Sequence, residues 1–377
     1  MPVNNLIMGA FDFCMFRRNI MHKSLRNLIL VTLILAMVLS LAACGESKTE
    51  APAADSGSKT EEPAADAGKT YKVAMICDSS ISDGGWGMAC YNAMIDAAEK
   101  FGWETAYSDS IDQSAYYDNI VSYCDLGYDL IYAPGNQYTD AVLQAAEEYP
   151  DIAFALLNGA ESTPSKAVNG NVTSLLPDAT QIGWIAGALA GLMTETNTIA
   201  FIGGMELDTT KAKYEGYKEA AAYVGAQEGK DVKTLDIVYS NSFSASDKGI
   251  EFAKAMMDQG ADVFFGDASA VDSGARQAID EANAASGSVK VYDIAQPSDS
   301  LGQNECIICS QVTDNSSLVG LSMEAVENGT FGGETIYGTL QNGALSAGAI
   351  NTDLVSAEIQ EKYQSYLDQM VDGTFMK

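Results

Sequence analysis

YKVAMICDSSISDGGWGMACYNAMIDAAEKF, Tyr71 to Phe101, sets the pattern for the chain beyond it. Lys72–Cys77 is a short apolar run and Met88–Phe101 a longer amphipathic stretch, with a polar, glycine-bearing turn between them. A buried strand leading straight into a helix is the unit that then repeats. Further strands are predicted at Thr105–Ser108, Leu130–Ala133, Ala153–Leu157, Thr198–Ile202, Thr234–Tyr239, Val263–Gly266, Val289–Asp293 and Cys306–Val312. Helices are predicted at Tyr117–Leu126, Ala141–Glu148, Gln181–Met193, Lys211–Val224, Asp247–Gln259, Ser273–Ala284 and Ser316–Glu327. Apolar strands alternating with helices imply parallel sheets covered on both faces. About 300 residues of this pattern exceed one comfortable core, so two α/β lobes are expected.

Upstream of Tyr71 the composition changes twice. Ser47–Gly57 (SKTEAPAADSG) recurs as Ser58–Gly68 (SKTEEPAADAG), identical at nine of eleven positions. With no aromatic or large aliphatic residue it cannot bury enough apolar area to offset ordering entropy, and it reads as a disordered spacer over 44–70. Gly68-Lys69-Thr70 imitates the tail of a P-loop, but Pro63 stands where the earlier glycine belongs and the segment precedes a strand. Further upstream, Leu28–Leu41 (LILVTLILAMVLSL) follows Lys23 and Arg26 and runs into Ala42-Ala43-Cys44. A basic start, an apolar run of this length and a small-residue ending make residues 1–43 a secretory signal rather than a spanning helix. Met21 is the more natural initiator. Cysteine directly after Ala-Ala resembles the lipobox of bacterial lipoproteins, in which the cysteine is acylated. The expected location is the cell membrane, lipid-anchored through Cys44 on its extracytoplasmic face.

Cleavage after Ala43 removes four of the 21 basic residues and one of the 51 acidic ones, leaving 17 against 50 and a net charge near −33. Such a surface repels nucleic acid and anionic membranes, so no nucleic-acid partner is expected, and the acidity points to a soluble monomer. The single histidine, His22, leaves with the signal. Without histidine there is no Ser-His-Asp or Cys-His mechanism and no His-containing zinc site. No catalytic residues, metal or cofactor are expected, and the protein is read as a binder, not an enzyme. Cys306-Ile-Ile-Cys309 has redox spacing but sits in a predicted strand, where residues three apart face opposite sides. Its thiols are read as small buried hydrophobes.

Several short stretches, in order, resemble the basic membrane protein family, the PnrA-like substrate-binding lipoproteins of ABC transporters. They are Asp83-Gly84-Gly85-Trp86-Gly87, Tyr149-Pro150-Asp151-Ile152-Ala153-Phe154, and Asn171-Val172 followed by Gly183-Trp184-Ile185-Ala186-Gly187. Phe201-Ile202-Gly203-Gly204-Met205, Tyr214-Glu215-Gly216-Tyr217 and Gly260-Ala261-Asp262-Val263 continue the series, and Gly343, Gly348 and a last helix closing at Asp372-Gly373 end it. The resemblance covers Tyr71 to the C-terminus. It implies a type I periplasmic-binding-protein fold, two Rossmann-like lobes hinged around a ligand, which agrees with the reading of the strands. Lobe one is expected at 71–175 and 294–312, lobe two at 176–293 and 313–345, with 346–377 a C-terminal segment assigned to neither.

The resemblance implies a purine nucleoside or nucleobase as ligand, ABC permease subunits as partners, and no membrane contact beyond the lipid. The family's stacking aromatics fall on Trp86 and Tyr214, its early aspartate on Asp83, and its two later aspartates on Asn158 and Asp293. Gly266, closing a predicted strand, completes the expected ligand-binding set. Aromatic faces suit a flat heterocycle, a carboxylate suits a ribose diol, and an amide reads a base edge as donor and acceptor. Each residue also has a structural reading: Trp86 as turn packing, Tyr214 as helix core, Asp293 as a cap. Asn158 in place of aspartate, and Ser310-Gln311-Val312-Thr313 where the family has a lysine, leave two alternatives open. One is the same fold holding a sugar or other small polar solute; the other is a ligand-sensing lipoprotein without transport.

Overall fold

The computed structural model describes residues 69–82 and 86–377. The signal, Cys44, the spacer up to Gly68 and Asp83 lie outside the described residues. In β1 (Lys72–Ile76), Val73 and Met75 enter one core while Ala74 and Ile76 enter another, so both faces of the strand are buried. That is why it reads as a continuous apolar run. α1 (Trp86–Phe101) buries Gly87, Cys90, Ala93, Met94, Ala97 and Ala98, a single stripe of helical period. Gly102, at φ 74°, ends it in the left-handed conformation.

The first lobe continues with β2 (Glu104–Ser108), α2 (Tyr116–Asp125), β3 (Leu130–Ala133), α3 (Thr139–Glu148), β4 (Ala153–Leu157) and β5 (Val172–Pro177). Far down the chain, α8 (Asn315–Glu327) and β12 (Thr335–Gly338) return to it. The sheet order is β12-β5-β4-β3-β1-β2, parallel throughout. α1 and α8 cover one face, α2 and α3 the other.

The second lobe holds α4 (Ala179–Met193), β6 (Thr198–Gly203), α5 (Asp208–Gln227), β7 (Lys233–Thr234), β8 (Val238–Tyr239), α6 (Ser246–Asp258), β9 (Val263–Asp267) and α7 (Ala270–Ser286). It closes with β10 (Tyr292–Ala295), β11 (Ile307–Thr313), β13 (Leu345–Ala347) and α9 (Ala357–Val371). Its sheet runs β13-β11-β10-β9-β6-β7 with β8 also on β6, and only β13 is antiparallel to its neighbour. α4, α5 and α9 cover one face and α6 and α7 the other. Cys306 and Cys309 fall in different cores, both buried, as their strand spacing predicts. Burial pushes the Cys309 thiol up to about 12, far from a reactive thiolate.

The expected lobe boundaries need correction. Residues 294–312 belong to the second lobe, because β10 pairs with β9 and β11 pairs with β10. Much of 313–345 belongs to the first, through α8 and β12. Residues 346–377 complete the second lobe: Tyr363, Leu367, Met370 and Phe375 enter its core, and the Tyr363 hydroxyl donates to Ile185 O at 3.0 Å. The chain thus crosses between lobes three times, after β5, after β11 and between β12 and β13. Two crossings carry an aspartate N-cap. Asp178 accepts from the Thr180 and Gln181 amides, Asp314 from those of Ser316 and Ser317. Burial alone would raise the Asp314 carboxyl, but the hydroxyls and amides of Ser316 and Ser317 hold it below its ordinary range. The predicted strand Thr234–Tyr239 is in fact two short pairings, β7 and β8.

Candidate functional site

A cavity of about 380 Å³ lies between the lobes, at the carboxyl ends of both sheets. The first lobe supplies Trp86 after β1, Asn158 and Gly159 after β4, Leu176 and Pro177 closing β5, and Asn315 at the start of α8. The second supplies Ala179 and Ile182 of α4, Leu207, Thr209 and Lys213 at and within α5, Phe243 after β8, Asp267 closing β9, Gln296 and Pro297 after β10, and Thr313 closing β11. Ligands of open parallel sheets bind where strand ends of opposite connection meet, and this is such a place.

Two of the expected residues face the cavity. Trp86 donates its Nε1–H to Pro134 O at 3.1 Å, which fixes the ring while leaving it 37% exposed. Asn158 stands at φ 55°, a conformation asparagine tolerates better than other side chains, and its amide N–H donates to Leu175 O at 2.9 Å. The strained turn throws its side chain outward, exposed.

The other expectations move. Tyr214 does not line the cavity: it is 7% exposed, packed edge-on against Phe201 with its hydroxyl on Leu235 O at 3.2 Å. Its neighbour Lys213 faces the cavity instead, one helical step of about 100° away. Asp293 is 3% exposed and bound by Arg276, whose Nε donates to Oδ2 at 2.6 Å. Attraction to Asp293 raises the Arg276 pKa; burial pushes the Asp293 carboxyl up while Arg276 pulls it back. Asp293 is thus committed to a buried ion pair and is not among the residues lining the cavity. Gly266 lies just behind the cavity wall, where a Cβ would meet Asp272 Oδ1 at 2.0 Å.

The residues missed by sequence reasoning form the second lobe's wall. Lys213 Nζ donates to Asp267 Oδ1 at 2.7 Å and to Gln296 Oε1 at 3.0 Å. Asp267 Oδ2 accepts from Thr210 Oγ1 at 2.6 Å, and Gln296 Nε2 donates to Gly266 O. Phe243 is 42% exposed on a serine-rich loop, SNSFSAS at Ser240–Ser246, tied by its own hydroxyls and by the Ala270 amide donating to Phe243 O at 3.0 Å. Gly204 lies against the Phe243 ring, 2.4 Å from where a Cβ would stand, so a larger residue there would shift the ring. A lone aromatic in a serine loop straight after a strand was the available signal. Asn171 is structural: its Nδ2 donates to Ala146 O, Tyr149 O and Ile152 O, tying the end of α3 to β4.

A family model described as ABC transporter substrate-binding protein PnrA-like matches residues 70–372. The nucleoside-binding protein BmpA of an ABC transporter in Lactococcus lactis is 26% identical over 319 residues, covering 80% of this chain and 87% of that one. The transcriptional activator protein med of Bacillus subtilis is 22% identical over 333 residues, covering 88% and 93%. A solved ABC transporter solute-binding protein from Conexibacter woesei superposes with a TM-score of 0.65 at 20% identity, covering 82% of this chain and 98% of its own.

Proposed function

Because the chain belongs to the PnrA-like family of ABC transporter substrate-binding proteins, we propose that its solute is a purine nucleoside or nucleobase. It is a solute-binding protein and not an enzyme. The observation that carries the nucleoside reading is the pair Trp86 and Phe243, one exposed aromatic from each lobe on the same cavity. A flat heterocycle offers two faces to such a pair, and stacking is worth on the order of 1–3 kcal/mol per contact. Asn158 and Asn315 place amides at the first-lobe side, able to donate and accept at a base edge or a ribose. The same amides also favour a second reading, a sugar or other small polar solute. Thermal-shift screening of the whole chain against nucleosides, bases, sugars and amino acids separates the two. Purine nucleosides should raise the melting temperature by mass action, and a response to sugars alone would overturn the nucleoside reading.

The proposed setting is a monomer held on the outer face of the cell membrane by lipid on Cys44, handing its solute to a permease. LAAC at Leu41–Cys44 motivates the anchor. Labelled fatty acid should enter the wild-type protein and not Cys44→Ser; label in both, or in neither, rules the anchor out. Among the described residues no helix is long and apolar enough to cross a membrane.

A further inference from the structure

We propose that the Lys213–Asp267 pair is a charge filter, which admits an uncharged solute and rejects its phosphorylated form. Among the described residues lining the cavity, Lys213 is the only cation and Asp267 the only carboxylate. They are joined at 2.7 Å with both side chains largely covered, 15% and 21% exposed. The cation is therefore spent inside the wall. Two of its three N–H donors go to Asp267 and Gln296, and one is left for the solute. A single N–H on a neutralised lysine suits a carbonyl or ring nitrogen. A phosphate would have to displace Asp267 or enter without a counter-charge, and an unpaired charge in a closed cavity is costly. The chain's net charge of −30 adds repulsion at longer range. Asp267 is also held by Thr210 at 2.6 Å, a second bond that must break before the lysine is released.

The inference deepens the nucleoside reading but can fail separately from it. Guanosine and guanosine 5′-monophosphate are titrated calorimetrically into the full chain, at low and high salt. The nucleoside should bind at least roughly a hundredfold more tightly, with affinity nearly independent of salt, as expected when no ion pair forms with the ligand. In Asp267→Asn, checked for intact folding by circular dichroism, the freed lysine should raise the monophosphate-to-nucleoside affinity ratio at least tenfold. That gain should disappear in the double variant Asp267→Asn, Lys213→Met. Comparable wild-type binding of both ligands overturns the filter, as does an unchanged ratio in a folded Asp267→Asn. Should that variant not fold, a strong salt dependence of the wild-type nucleoside affinity overturns it. If galactose binds and guanosine does not, the nucleoside reading falls. Galactose against galactose 1-phosphate then tests the filter by the same ratio. If only phosphorylated ligands bind, the filter is wrong.

Discussion

Trp86 and Phe243 stand 37% and 42% exposed, large for rings of this size, and each has a fixed backbone behind it. Trp86→Ala and Phe243→Ala should each weaken nucleoside binding by about 1–3 kcal/mol, roughly tenfold to a hundredfold in calorimetric affinity. Tyr214→Phe, in the core, should leave affinity unchanged. Equal affinities in all three variants would remove the stacking site. Beneath the same wall Asp272 is buried, accepting from the Ala268 amide at 2.8 Å. Burial pushes its carboxyl from an ordinary 3.8 up to about 7, against the pull of that amide and of Arg276, while Asp293 and Asp267 push it further up. The folded chain therefore keeps a proton there that the unfolded chain releases, between about pH 4 and pH 7. Stability from the neutral form is present below that window and is lost as pH rises through it, on the order of 4 kcal/mol in all. Denaturant unfolding from pH 5 to pH 8 should show wild-type stability falling while Asp272→Asn stays flatter; parallel curves would refute the assignment. At this scale the sequence was half legible. Asn158 follows β4 directly and Trp86 opens the helix after β1, so strand order places them, whereas Tyr214 and Lys213 differ only by one step of helix rotation, which a motif does not resolve.

α4 and α5 meet backbone to backbone. A Cβ on Gly183 would lie 2.3 Å from Lys213 O, one on Gly187 2.3 Å from Tyr217 O, and one on Gly191 2.7 Å from Ala221 O. Three glycines at intervals of four therefore make a groove into which α5 settles, and α4 and α5 share one core as a unit. Since α4 starts at a lobe crossing and α5 carries Lys213, the hinge and the cavity wall move together. Gly187→Leu should prise the pair apart, costing about 1–3 kcal/mol in denaturant unfolding. No loss of stability would show that the helices can separate freely. The helix α4 was legible from its apolar stretch. The strands β5, β12 and β13 were not: β5 runs into Pro177, β12 is only partly buried, and β13 has three residues. Nor could local sequence assign β10 and β11 to a lobe, because a strand buried on both faces carries no mark of which neighbour it will pair with.

Three strands of chain joining two lobes allow rotation about the crossings while resisting separation, and the cavity between them takes residues from both sides. A bound solute that touches both walls should draw them together. Solution scattering should show the radius of gyration falling on addition of a saturating nucleoside; tight binding with an unchanged curve would exclude closure. The crossings also impose an order on synthesis. α8 and β12, which finish the first lobe, are encoded after every strand of the second sheet except β13. Neither sheet can be completed until residues 335–347 have left the ribosome, close to the end of a 377-residue chain. Nascent chains arrested at residue 300, lacking α8 and α9, should be cut by protease much faster than those released at full length; equal resistance would contradict this. One face of each sheet, awaiting α8 in the first lobe and α9 in the second, thus stays unfinished through most of synthesis, a state in which a translocation channel can still thread the chain.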